Sequence, residues 1–346
     1  MNPSVPHPAL PSVLEGLRAL EKDAPLVEAA LQAYYRQGWD GWPAPVGIPI
    51  GIAQDLLTQH GYRLGPVAHS LMASMLAVYT AWRLTKGAYL FDPLVWEELR
   101  DTPVHKLPTA LLERLPEQAP LLLFPEPLVV DAFQIDAAHV YFDYDPRPPA
   151  HLELRFLCWN RFEGGHQPIN LILDLDGEDL EDCLKKTLER SPSLPGDPLA
   201  QQKRLDTGPM VRLYEALISA ALYLCQAEPD LSQAPRTPPA APLSPRGFKR
   251  VRTPDKPHLI ATGWRWGAAI RAAREARTHP TGKGSGRSVT PHVRRAHWHL
   301  YWVGEGSRKD RSKARPEVRW VAATLVGRDY LEGELPATIR KVKEVQ

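Results

Sequence analysis

The spacing of apolar residues along the first 120 positions predicts a series of short helices. In residues 66–84, apolar side chains such as Leu71, Met75 and Val78 recur every three or four positions. This is the period of an amphipathic helix that packs on a core. Shorter helices are predicted in residues 12–37 (two helices), 52–60, 93–100 and 108–114. The pattern therefore begins as a mostly helical body.

The period then changes from helical spacing to alternation. Three short segments rich in β-branched and aromatic residues alternate in polarity, and turns containing Pro or Gly join them. Such a pattern is typical of an antiparallel meander. These segments are residues 140–144, 152–159 and 169–175. Two further helices are predicted at residues 179–190 and 208–226.

The last predicted strand ends in a group of carboxylates, Asp174, Asp176, Glu178 and Asp179. Alternating carboxylates at a strand end can hold Mg²⁺. Gly177 and Asp179, however, also fit a turn followed by a helix N-cap. We favour the turn and cap, and we predict no metal site and no cofactor.

Prolines divide the chain. Residues 228–257 hold many prolines and few apolar side chains, which is typical of an extended, semi-rigid linker. We therefore predict a helical body with a small antiparallel sheet at residues 1–227, a linker at 228–257, and a small basic, tryptophan-rich β domain at 258–346. The predicted fold class is α+β.

The last segment is predicted to contain a strand at residues 259–266, a basic helix or continued strand at 268–277, and a hairpin that pairs residues 296–303 with 318–324. Alternation places Trp264 and Trp266 on one face, and we interpret both as core. It also separates residues 296–303 into two faces. One face carries Trp298, Leu300 and Trp302. The other carries His297, His299, Tyr301 and Val303.

Composition narrows the class of protein. The three cysteines are far apart and odd in number, which argues against a disulfide framework and favours a reducing compartment. The N-terminus lacks the pattern of a signal peptide, and no apolar run is long enough to span a bilayer. We therefore expect a cytoplasmic protein without a membrane partner. Nucleophile-elbow, Rossmann, kinase and zincin motifs are absent from the sequence, which disfavours a metabolic enzyme.

The net charge of +2 conceals a strong asymmetry. From Pro229 onward the sequence holds 24 Lys and Arg against 10 Asp and Glu, or +14, which leaves −12 for the preceding residues. A basic segment of this kind can contact a polyanion, or it can dock on the acidic part of its own chain. The sequence leaves both alternatives open.

The histidine-bearing face of the hairpin is the candidate site. Its side chains can pack within the domain, bind RNA or a protein, or catalyse RNA cleavage, with His297 and His299 as acid and base and Arg294 and Arg295 stabilising charge. A His-x-His pair on a strand can also bind one metal ion, but no carboxylate or cysteine lies within the motif, so we disfavour metal binding. A basic loop beside it offers phosphate contacts. The candidate binding residues are His292, Arg294, Arg295, His297, His299, Tyr301, Arg308, Lys309, Arg311, Lys313 and Arg315.

One motif resembles a known family. Residues 291–299, Pro-His-Val-Arg-Arg-Ala-His-Trp-His, precede Tyr-Trp-Val-Gly at 301–304 and Val-Arg-Trp-Val at 318–321. Together they resemble the C-terminal signature of a family of phage- and plasmid-borne proteins whose best-understood members are type V-A anti-CRISPR proteins. The resemblance implies a regulatory binding protein that recognises the polypeptide of a type V effector nuclease as it is made and lowers its expression. It carries over no catalytic residue.

The charge asymmetry adds a hypothesis to this resemblance. We expect a protein or nascent-peptide partner, with RNA or ribosome contact through the basic C-terminal domain. Two alternatives remain open: a metal-independent, toxin-like ribonuclease that uses His297 and His299, and a non-catalytic nucleic-acid-binding accessory protein.

Overall fold

A computed structural model describes residues 7–21, 47–131, 133–145, 150–163, 165–190, 208–237, 253–278, 292–304, 313–322 and 324–326. The helices are α1 (Ala9–Glu21), α2 (Ile50–Gln59), α3 (Pro66–Trp82), α4 (Pro93–Arg100), a 3₁₀ helix (Thr109–Arg114), α5 (Leu180–Arg190), α6 (Gly208–Leu224) and α7 (Trp264–Thr278). The strands are β1 (Gly87–Phe91), β2 (Leu121–Val130), β3 (Phe133–Asp145), β4 (His151–Phe162), β5 (Gly165–Asp174), β6 (His258–Thr262), β7 (His292–Arg294), β8 (His297–Val303), β9 (Arg315–Val321) and β10 (Thr324–Val326). The predicted α+β class is confirmed.

A six-stranded mixed sheet with the order β5-β4-β3-β2-β1-β6 lies at the centre. The three predicted strands form its antiparallel part as β3, β4 and β5, while β1 runs parallel to both β2 and β6. Strand β2 was not predicted from the sequence, because Pro125 and Pro127 disfavour a strand. The register between β2 and β3 shifts between Leu123 and Leu128, and such an irregularity is where a strand tolerates proline.

The sheet is covered on both faces, which explains the uninterrupted apolar run in β2. Leu121 and Leu123 join the core formed with α1, α2 and α3. Leu122 and Phe124 face the opposite way and join the core formed with α4 and α6. A strand buried on both faces has no polar alternation for a sequence pattern to detect.

The segment 259–266 is not one strand, and this corrects the sequence prediction. Strand β6 ends at Thr262, Gly263 turns the chain with φ of 76°, and α7 begins at Trp264. The Asp230 carboxylate accepts hydrogen bonds from the backbone N–H groups of Arg265 (2.7 Å) and Trp266 (3.2 Å). The capping residue lies 34 positions before the first residue of α7, so the sequence next to the helix does not indicate where the helix begins.

The early helix start separates the two tryptophans that alternation had placed on one face. Trp266 packs edge-on against Trp320, with ring centroids 6.3 Å apart. Trp264 is 50% exposed, so the prediction that it belongs to the core is wrong. In a helix, positions i and i+2 do not share a face.

Ion pairs between α7 and α4 bear on the charge asymmetry. Arg274 contacts Glu97 at 2.8 Å and Glu98 at 3.2 Å, and Arg271 lies 3.7 Å from Asp92. Part of the basic segment therefore docks on acidic residues of its own chain. This is one of the two alternatives left open by the sequence.

The ends of the predicted linker also contact the body. Leu231 bridges to Thr262, and Arg236 donates to the backbone carbonyls of Thr85 (3.1 Å) and Lys256 (3.2 Å). The three-part division at 228 and 258 remains a prediction about folding units. The second helix predicted in residues 12–37 lies outside the described residues. Within the described ranges, no helix combines the length and apolar character needed to span a bilayer.

The N-cap of α5 provides a first prediction. The Asp179 carboxylate accepts a hydrogen bond from the Asp182 N–H at 2.9 Å, as the sequence predicted for a cap. We expect Asp179→Ala to lower the free energy of unfolding by about 1 kcal/mol, since an N–H group of the first turn loses its acceptor. Urea denaturation would measure the loss. The neighbouring Glu178→Ala, which removes an exposed side chain, is the control and should change stability by less than about 0.5 kcal/mol.

Candidate binding surface on the C-terminal hairpin

Strands β8 and β9 form the predicted antiparallel hairpin. Trp298 lies opposite Trp320, and His299 lies opposite Arg319. Because side chains alternate across a strand, the register defines two faces. The inner face consists of Trp298, Leu300, Val318 and Trp320. The outer face consists of His297, His299, Tyr301, Val303, Arg315, Glu317 and Arg319.

The inner face packs on α6 and the residues that follow it. The indole Nε1–H of Trp298 donates to Ser219 Oγ at 2.9 Å, and the Trp320 backbone N–H donates to Gln226 Oε1 at 2.8 Å. The Trp320 ring meets Tyr223 edge-on, with centroids 5.8 Å apart. These contacts hold the hairpin at a defined position, so the outer face rests on a rigid support.

The outer face presents an aromatic and cationic surface. The rings of His299 and Tyr301 lie with centroids 4.3 Å apart, and the Arg319 guanidinium sits 5.5 Å from the Tyr301 centroid. His299 and Arg319 are exposed, and Tyr301 is half-buried. Two closely packed rings beside a guanidinium offer apolar area together with positive charge, which suits a polypeptide segment or an unpaired base.

Two polar contacts organise the rest of this face. Arg315 pairs with the nearly buried carboxylate of Glu317 at 3.0 Å, so part of its charge is compensated. His297 Nδ1 lies 3.2 Å from the Arg295 carbonyl oxygen, and an Nδ1–H donor satisfies this bond. In the neutral ring, Nε2 is then an acceptor.

The other sequence-predicted residues fall in three groups. Arg295 and Lys313 are exposed at the ends of the hairpin. The backbone of His292 and Arg294 forms β7, which pairs with β10, but their side chains lie outside the described residues. Arg308, Lys309 and Arg311 also lie outside the described residues.

Sequence reading missed Arg319, which stacks at the centre of the outer face. A signal for it existed. Once residues 296–303 and 318–324 are paired as a hairpin, a residue on the second strand must lie opposite His299. The actual register, however, depends on a connection whose length does not specify the pairing.

The catalytic alternative requires His297 and His299 to act as acid and base on one substrate. The contacts of these rings are to the Arg295 carbonyl and to the Tyr301 ring, respectively. Such contacts are those of packing and binding groups. The assignment of catalysis to His297, His299, Arg294 and Arg295 therefore stays a prediction.

The fold and the hairpin define an α+β protein that carries a rigidly backed aromatic and cationic surface. Residues 89–328, more than half of the chain, match the anti-CRISPR type V subtype A2 family, described as AcrVA2-like. The chain belongs to this family. The resemblance inferred from residues 291–299 is thus confirmed.

A comparison with solved structures shows that the fold is also shared with a protein of this kind. The crystal structure of AcrVA2 matches with a TM-score of 0.62 at 20% sequence identity, over 92% of this chain and 99% of that chain. At this identity the likeness shows a shared architecture. No curated protein sequence matches the chain.

Proposed function

We propose that this protein is an anti-CRISPR protein that recognises a polypeptide of a type V effector nuclease through the outer face of the β8–β9 hairpin and lowers the effector's expression. Family membership supports the anti-CRISPR role and a protein partner such as a CRISPR effector. The observation that carries the choice of surface is the close packing of His299, Tyr301 and Arg319. Recognition during translation would place the protein in the cytoplasm.

The rigid backing of the hairpin supports a binding role for this surface. Trp298 and Trp320 are held by α6 and by Gln226 before any partner arrives, so the backbone that carries Tyr301 and Arg319 does not have to be ordered on binding. Tyrosine and arginine are also the residue types that most often dominate the binding energy of protein interfaces. We therefore expect contacts at Tyr301 and Arg319 to contribute strongly to the free energy of partner binding.

RNA or ribosome contact is the second part of the proposal. Arg271 and Arg274 of α7 lie against acidic residues at the start of α4 and within it, so they are poorly suited to a polyanion. The exposed cations at the hairpin, Arg295, Lys313 and Arg319, are better placed. If they contact phosphates, affinity for RNA falls steeply with salt, by a slope close to the number of phosphates contacted.

The surface assignment is tested by Tyr301→Ala. We expect affinity for the effector polypeptide to fall about 5- to 30-fold, because truncating an interface anchor costs about 1–2 kcal/mol. The matched control is Trp264→Ala. Trp264 is also an exposed aromatic residue beside an arginine, with Arg265 5.9 Å from its ring centroid, but it lies on α7. Binding to the purified effector and to a set of its peptides would be measured for both variants.

Cellular partners are tested by purifying the tagged protein from translating cells, with and without RNase treatment, followed by mass spectrometry and RNA sequencing. Enrichment of one effector together with its own message supports recognition of a nascent chain. Enrichment of bulk RNA without a specific polypeptide contradicts it and favours an accessory nucleic-acid-binding protein. RNA cleavage that resists EDTA and is lost in His297→Ala or His299→Ala would instead favour the ribonuclease.

A further inference from the structure

A second group of chemically active side chains lies away from the hairpin, on one face of the central sheet. Glu153 on β4 is directly opposite Asp174 on β5, and Asp143 on β3 is opposite Glu153 on its other side. His151 precedes Glu153 by two residues and therefore shares its face. The sheet thus brings three carboxylates and one imidazole together from three strands.

The oxygens of these carboxylates are divided between different partners. Asp143 accepts from the Ile50 N–H through Oδ1 at 3.1 Å, and its Oδ2 lies 3.2 Å from Arg155 Nε. Glu153 Oε2 accepts from Arg155, which leaves Oε1 directed toward His151 and Asp174. Arg155 therefore supports Asp143 and the far oxygen of Glu153.

Three ligand atoms converge on the other side of Glu153. His151 Nε2 lies 3.8 Å from Glu153 Oε1 and 3.6 Å from Asp174 Oδ1, and each of the three residues has a ligand atom within 4.8 Å of those of the other two. In a tetrahedral zinc site, bonds of about 2.0–2.2 Å place neighbouring ligand atoms about 3.4 Å apart. The observed separations would need only small side-chain movements to reach that spacing.

Carboxylates face each other across this part of the sheet. Asp143 and Asp174 each lie opposite Glu153, whose side chain is only 9% exposed and pairs with Arg155. Like charges directly opposite each other in a sheet are destabilising. A further positive charge between His151, Glu153 and Asp174 would relieve this repulsion.

We propose that His151, Glu153 and Asp174 form a binding site for a divalent transition-metal ion of the zinc type, which ties the edge strand β5 to β4. One imidazole nitrogen with two carboxylate oxygens suits zinc and its neighbours, whereas magnesium and calcium prefer oxygen ligands throughout. Arg155 holds Glu153 from the outer side and so orients a ligand without coordinating the ion. The site is independent of the hairpin surface and of its partner.

The test uses the full-length protein, stripped with EDTA and dialysed. Zn²⁺ is added, and the bound metal is measured by elemental analysis and by titration calorimetry. We expect about one ion per chain at this site and a higher unfolding temperature with Zn²⁺ than without it. Asp174→Asn and His151→Gln should each weaken binding by at least about tenfold, because each removes a ligand atom of a three-ligand set.

Two controls separate this site from other histidines. His105→Gln removes a histidine that lies 3.4 Å from a single carboxylate, Glu181, and should leave zinc binding unchanged. The His297→Ala, His299→Ala double variant tests the His-x-His sequence of β8. Zinc binding that disappears in this double variant and persists in Asp174→Asn would overturn the proposal.

The metal-free proteins separate a metal site from a simple ion pair. If the cluster is a metal site in which carboxylates face each other, metal-free Asp174→Asn should be at least as stable as metal-free wild type, since Glu153 no longer has a like charge opposite it on β5. If Asp174 serves only to pair with a protonated His151, the variant loses stability and neither protein binds zinc. That result would refute the site.

Discussion

Trp320→Ala is expected to lower the free energy of unfolding by about 3–5 kcal/mol, the usual loss when a buried tryptophan is truncated. The Trp320 side chain is only 2% exposed and packs against Tyr223 and Trp266. Its indole N–H also lies 3.4 Å from Thr102 Oγ1. The substitution leaves a cavity between the hairpin, α6 and α7 that the surrounding backbone cannot fill. Denaturant unfolding monitored by circular dichroism would measure the loss.

Trp264→Ala is the matched control for this experiment. The sequence analysis assigned Trp264 to the core, but Trp264 is half exposed at the start of α7. Truncating it should lower the free energy of unfolding by no more than about 1 kcal/mol, since the main interaction lost is its contact with Arg265. Equal losses in the two variants would show that the hairpin is not docked through Trp320. We also expect Trp320→Ala, but not Trp264→Ala, to weaken partner binding.

Lowering the pH from 7 to 5 is expected to remove about 2 kcal/mol of stability through one residue, His139. His139 is fully buried beneath Trp82 and Trp159, and burial lowers its pKa to about 3. The folded state therefore resists protonation, whereas the unfolded chain takes up a proton near the ordinary histidine pKa of about 6.5. The stability is present above that pH and is lost as the pH falls toward the folded pKa.

The variant His139→Asn isolates this effect. Trp159 Nε1 donates to His139 Nδ1 at 3.2 Å, and an asparagine amide oxygen can accept at a similar position without titrating. Between pH 7 and pH 5, the variant should lose about 2 kcal/mol less stability than wild type loses. The exposed His105→Asn is the control and should keep the wild-type dependence.

Comparing the pH dependence of the free energy of unfolding between wild type and His139→Asn removes the contribution of other titrating groups. The pKa values of Glu117 and Glu153 are raised, in each case chiefly by burial. Their effect has the opposite sign, because a raised carboxyl pKa favours the folded state as the pH falls. Both groups are present in wild type and in His139→Asn. An unchanged slope in His139→Asn would therefore contradict the assignment to His139.

Local patterns predicted much of the fold. The period of apolar residues located α3, α4 and α6, and alternation located β3, β4, β5 and the β8–β9 hairpin. The same alternation correctly separated the histidine-bearing face from the tryptophan-bearing face. These features follow from neighbours within one element, so the sequence of that element is sufficient to reveal them.

Other elements depended on distant residues. Strand β6 was predicted within a separate domain, yet it pairs with β1, about 170 positions away. The start of α7 depends on Asp230, and the docking of the hairpin depends on α6. No local pattern encodes these partners, because each contact forms only when the chain has folded back on itself.

The sequence by itself determined the class of the fold, the two faces of the hairpin and, through the motif at residues 291–299, membership in the anti-CRISPR family. Only the tertiary structure decided that Arg319 lies over Tyr301. It also placed Asp174 beside His151 and Glu153, whereas the sequence grouped Asp174 with the carboxylates that follow it. Periodicity and motifs are properties of contiguous residues, whereas a site is made by strand register. Register is set by packing and pairing over the whole sheet.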